Sequence, residues 1–142
     1  MEQTRTSRSE VGASVLSALD AGREHFDTAR QALLDMRDAE LDVLGYAQEQ
    51  RQAKAALESA LLTARLAAPR DGHNAEERAL QTAAYLASDH AVVEAYAAVD
   101  RATVALAAAE SRVKLLGLTI GLARDAMRLC TAALLNASGA GA

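Results

Sequence analysis

This chain of 142 residues has no tryptophan, one phenylalanine and three tyrosines. A compact globule of that length fills its centre with large rings, whereas thin seams between helices are filled by Ala, Val and Leu. Half of the residues are apolar and much of that half is alanine, so packed helices fit the composition better than a globule. The lone cysteine, Cys130, excludes a disulfide scaffold within the chain. Only one proline, Pro69, interrupts helical patterning. No apolar run approaches the roughly 20 residues of a membrane span, because the richest window, residues 113–123, contains Lys114. Met1 to Ser9 carries Glu2, Arg5 and Arg8 with no apolar stretch behind them, unlike a secretory signal, so the expected location is the cytoplasm and no membrane partner is expected. The net charge of −4 is spread over interspersed acids and bases, which makes nucleic acid an unexpected partner by default.

What is present is a strict heptad. Val92, Val99, Leu106, Val113, Ile120, Met127 and Leu134 mark one position, and Ala95, Ala102, Ala109, Leu116, Ala123 and Cys130 mark the other. Alternating steps of three and four residues keep one stripe of a helix on a partner along a left-handed supercoil. One row is large and the other nearly all alanine, which asks for a closely approaching helix. Cys130 in such a row behaves as a small buried hydrophobe.

The rest of the chain supplies that partner. A first helix is expected over residues 10–67, capped by Ser9, with apolar positions at Val15, Leu19, Phe26, Leu33 and Met36, a phase shift through Leu41 and Leu44, and recovery at Leu57, Leu61 and Ala64. The segment QEQRQAK is polar all round, and Gly45 is a candidate kink. APRDGHN collects turn residues, after which Asn74 and Glu77 form a capping box for a second helix over 75–87. Ser88 and Asp89 offer a cap for a third helix over 90–136, and SGAGA ends it. The expectation is an all-α, elongated antiparallel hairpin with coiled-coil-like packing and a short connecting helix at its tip. It is one domain, residues 10–137, between flexible tails at 1–9 and 138–142.

Leu115, Leu118, Leu122 and Leu129 form a second apolar stripe away from the heptad seam. One antiparallel partner cannot cover both faces. The stripe is covered by a wrapped or bent first helix, by a second copy, with a dimer favoured, or by another protein; the second copy is the preferred reading.

Chemistry is sparse. His25, His73 and His90 stand apart from one another and from Cys130, so zinc and di-iron ligand spacings are missing. His25, between Glu24 and Asp27, reads as part of a solvated charge pattern. Asp35, Asp38, Glu40 and Asp42 make an acidic run of the kind that all-α nucleotide pyrophosphohydrolases use for Mg²⁺, but the third helix offers only scattered Glu94, Asp100, Glu110 and Asp125. No phosphate-binding glycine loop is present, and Cys130 has no His nearby in sequence. The expectation is therefore a protein with no enzymatic activity, no cofactor and no metal. A nucleic-acid accessory role would require Arg101, Arg112, Arg124 and Arg128 to line one groove.

Two resemblances bear on this. Tyr96-Ala-Ala-Val-Asp100 is similar to the Tyr-x-x-x-Asp pattern of helical-hairpin substrates of type VII secretion, but it lies inside the third helix, and the Trp-x-Gly turn of those systems is absent. DGHNAEERAL, then LASDHAVVEAY and the heptad helix, resembles small Ala-rich helical proteins of phages and prophages over residues 71–134. That resemblance brings no catalytic residues. It implies an accessory role, in DNA metabolism or against host defence, and with the absent chemistry the expectation is an interaction protein that scaffolds or blocks a larger protein partner.

Overall fold

The computed structural model describes residues 3–139. Three helices follow in order: α1 (Gln3–Ala67), α2 (Ala75–Ser88) and α3 (His90–Gly139), with no strand among the described residues. The long α1 packs against α3, and α2 connects them, which is the expected all-α helical hairpin.

The boundaries differ at the outer ends. α1 starts at Gln3 rather than at residue 10, so the expected cap, Ser9, lies inside the helix. Residues 3–9 contain neither Gly nor Pro, and extending an existing helix fixes only one residue per added hydrogen bond. α3 continues past Asn136 through Gly139, three residues beyond its expected end. Of the expected tails, 3–9 and 138–139 are helical, and residues 1–2 and 140–142 lie outside the described residues. The helical ladder of α1 runs unbroken through Gly45, the candidate kink site. Nothing lies within 4 Å of where a Cβ on Gly45 would stand. Gly45→Ala is therefore expected to raise stability by about 1 kcal/mol, read by chemical denaturation, because it removes backbone freedom without meeting any neighbour.

The connection between the helices is held by local bonds. The Asn74 side chain accepts from the Glu77 amide at 2.8 Å. The Glu77 carboxylate reaches back to the amide of His73, also 2.8 Å, one residue earlier than a capping box with Asn74 would place it. Gly72 donates to the Gln81 side chain, and its carbonyl accepts from Arg78. A Cβ at Gly72 would stand 2.8 Å from the Arg78 amide, which explains glycine there. Asp89 caps α3 by accepting from the Val92 amide at 3.0 Å.

Contacts group the chain into two units: Met1–Ala39 with Arg112–Ala142, and Glu40–Ser111. In the first, the α3 side of the seam comprises Val113, Leu116, Ile120, Ala123, Met127, Cys130 and Leu134, all buried or half-buried. In the second it comprises Val92, Ala95, Val99, Ala102, Leu106 and Ala109, again all buried or half-buried.

On the α1 side Val15, Met36, Leu57, Leu61 and Ala64 are buried or half-buried as expected, but the other expected positions are not. Leu19, Phe26, Leu33, Leu41 and Leu44 are exposed. The inward row in the first unit is Val15, Ala18, Gly22, His25, Ala29, Ala32, Met36 and Ala39, and in the second Val43, Tyr46, Gln50, Ala53, Leu57, Ala60 and Ala64, all buried or half-buried. These also alternate steps of three and four, so α1 carries a heptad as strict as that of α3. A Cβ on Gly22 would stand 3.7 Å from the Cβ of Cys130, which makes them neighbours across the first unit's seam. Continued in heptad steps, that register sets Ala32 across from Ile120 and Ala39 across from Val113: a small residue faces a branched one. In the second unit Gln50 donates to the Thr103 hydroxyl at 2.9 Å, while Thr103 donates to the Val99 carbonyl. The polar QEQRQAK segment thus places its middle glutamine at a half-buried seam position, bonded to a polar residue of α3.

Candidate functional site

With seam positions lettered a and d, a heptad's e and g positions flank the seam and b, c and f face outward. Leu115, Leu122 and Leu129 occupy c and Leu118 occupies f of α3, opposite the seam. They are 64 to 72% exposed, so α1 does not cover them. Asp125 continues their row at an f position and pairs with Arg128 at 3.4 Å. From Leu115 to Leu129 the row extends about 21 Å at 1.5 Å per residue.

The candidate chemical groups do not converge. Along α1, Asp35 is half-buried and accepts from Gln31, while Asp38, Glu40 and Asp42 are exposed on differing heptad positions. Among the described residues no three of His, Cys, Asp and Glu come together as metal ligands. His25 is a correction: it occupies a d position of the α1 seam and is half-buried, while Glu24 and Asp27 are exposed. Tyr96 and Asp100 are exposed within α3, as are Glu94 and Glu110. Of the arginines a nucleic-acid groove would need, Arg101 belongs to the second unit. In the first unit Arg124 (e) and Arg128 (b) share a side of α3, whereas Arg112 (g) is on the other.

A charge pattern in the first unit escaped the sequence reading. Pairing of a with d across antiparallel helices, as Gly22 pairs with Cys130, brings e beside e and g beside g. The second unit follows the same rule, with Leu61 and Tyr96, both e, lining one cleft, and Glu49, Ala98 and Ala105, all g, lining another. Residues 10–39 and 112–139 hold seven cations from Lys and Arg, of which Arg23, Arg30, Arg37, Lys114, Arg124 and Arg128 stand at b or e. Their seven acids, Glu10, Asp20, Glu24, Asp27, Asp35, Asp38 and Asp125, all stand at c, f or g. Exposed Leu19, Phe26 and Leu33 form the e row of α1 on that basic side. In the second unit Arg51, Lys54 and Arg65 share b and e with Glu40, Glu58, Asp100 and Glu110, and no such segregation exists. A smaller basic grouping there, Arg65, Arg70 and Arg78, borders Thr82 and Leu86. The signal in sequence was arginine recurring every seven residues at 23, 30 and 37, visible once the α1 seam is assigned.

No protein-family model, curated protein or solved structure matches the chain. The geometry alone therefore carries the functional reading. No helix among the described residues is long and apolar enough to cross a membrane.

Proposed function

We propose that this is a non-enzymatic helical interaction protein that forms homo-oligomers, a dimer in the simplest case, and scaffolds or blocks a larger protein partner in the cytoplasm. The observation that carries this reading is the exposed row Leu115, Leu118, Leu122 and Leu129, on a helix whose opposite face is already occupied by α1. Leucines repeating at steps of three and four are a helix-docking pattern, and a closed two-fold pairing of identical rows hides them with no second sequence. The likeness of residues 71–134 to Ala-rich phage proteins favours a phage setting.

The test is sedimentation equilibrium of the native chain at micromolar concentration. A mass of about twice 14.9 kDa is expected, and 14.9 kDa at every concentration would overturn the oligomer.

A further inference from the structure

We infer that the basic side of the first unit, with its apolar row Leu19, Phe26 and Leu33, is a docking groove for an acidic amphipathic helix of a partner protein. The inference rests on the reading of the chain as an interaction protein and names the chemistry of what it binds. Three features select a helix of that kind. The apolar residues recur every seven positions along α1, the period at which a docked helix presents its own apolar stripe. On one side they are bordered by Arg23, Arg30 and Arg37, and on the α3 side by Lys114, Arg124 and Arg128, all exposed. A partner helix with leucine or alanine in its stripe and Glu or Asp on both flanks therefore meets apolar surface at its centre and cations at both edges. Among residues 10–39 and 112–139 no acid stands on the e and b positions that make this side, and of its cations Arg128 pairs with Asp125 from a neighbouring f position, so a partner bearing negative charge complements this side.

The glycines are an independent indication. Gly117 and Gly121 stand at e and b of α3, on this same side, in the interior of a 50-residue helix. Nothing in the chain lies within 4 Å of the Cβ positions they lack. Glycine costs a helix stability relative to alanine, and here no packing within the chain requires it. Close approach of another backbone would. On this side Leu19, Phe26, Leu33, Gly117 and Arg124 are exposed and Gly121 is half-buried, whereas the g side mixes half-buried Ala21, Asp35 and Ala126 with exposed Thr28, Arg112 and Thr119.

Duplex nucleic acid fits less well, because a row of leucine and phenylalanine lies between the cation rows where phosphates would have to run. An anionic bilayer would meet the acids Asp20 and Asp27 along the outer edge of α1.

The experiment uses the full chain and a fluorescein-labelled, end-blocked peptide of three heptads, with Leu at a, Ala at d and Glu at e and g. Fluorescence anisotropy is read at 50 and 300 mM salt. Saturable binding that weakens at least tenfold at the higher salt is expected, as is at least a tenfold loss in Arg30→Glu, Arg124→Glu protein. Gly121→Leu, which leaves the charges intact and fills the open side, should weaken binding as strongly, whereas Arg51→Glu in the second unit should leave it unchanged. Circular dichroism confirms that each variant stays helical. No peptide binding at 50 mM salt, or binding indifferent to both the charge reversal and Gly121→Leu, overturns the inference. Tighter binding of a 20-base-pair duplex, or of vesicles with one-third phosphatidylserine, also overturns it, in favour of that partner. The Leu118→Glu, Leu122→Glu chain separates the two surfaces: retained peptide affinity supports a distinct groove, and its loss overturns that assignment even if the oligomer is real.

Discussion

Replacing Leu118 and Leu122 together by glutamate is expected to convert the proposed dimer into a monomer while leaving its helix content intact. Both leucines are largely exposed in the chain and face away from its seam, so the change costs the isolated fold almost nothing. In a two-fold dimer the substitution acts twice. Each leucine contributes about 1.5–3 kcal/mol when fully buried, so four of them account for roughly 6–12 kcal/mol of assembly, before the cost of placing carboxylates in the interface. The dissociation constant should rise by at least about a thousandfold, which needs only about 4 kcal/mol. Sedimentation of native and variant protein side by side gives the answer, with circular dichroism as the control. A variant that sediments like the native oligomer would place the contact elsewhere.

The second large effect is expected at Ala39. Among the described residues Ala39 is the most completely buried, at 0% exposure, and the register sets it across from Val113. Ala39→Leu adds three carbons where the backbones approach closely. Overpacking of this kind costs about 1–3 kcal/mol, or a fall in melting temperature of roughly 3–10 °C for a chain of this length. Ala102→Leu and Ala109→Leu, in the second unit's seam, should fall in the same direction for the same reason. As the counterpart, Val104→Leu, on an exposed position of α3, should leave the melting temperature within about 1 °C. If Ala39→Leu melted like the native chain, the seam would be loose enough to accept a leucine, and alanine would not be there for fit.

The α3 half of this seam was legible in the sequence because its a row is Val, Leu, Ile and Met, which stand out against their neighbours. The α1 half was not. Its inward residues include Gly22, His25, Ala29, Ala32 and Gln50, while the bulkier Leu19, Phe26 and Leu33 occupy the flank. Hydrophobic size therefore found Val15, Met36, Leu57 and Ala64 on the inward row but placed Leu19, Phe26 and Leu33 there too, one position off. Complementarity was the usable signal: a large row on one helix needs a small row on the other, and alanine recurs at d positions 18, 32, 39, 53 and 60 of α1. The turn and both short-range caps were legible, since Asn, Asp and Gly act there through local hydrogen bonds that need no distant partner. The leucine row was legible as an unsatisfied face. The basic side was not, because it assembles cations from two helices, and its coherence exists only after both seams are assigned.

The hydrogen bond from Gln50 to Thr103 carries a further consequence. A hairpin whose seam repeats every seven residues can slide by one repeat and still meet apolar residue with apolar residue, so hydrophobic packing alone discriminates poorly between neighbouring alignments. Sliding by seven would bring Gln50 beside Tyr96 or Glu110 in place of Thr103, each still able to accept from the amide but on a longer side chain than the threonine that now bonds it at 2.9 Å. The pair therefore favours the present alignment by the length of its side chains and not by their chemistry, a small bias within a ladder of near-equivalent alignments.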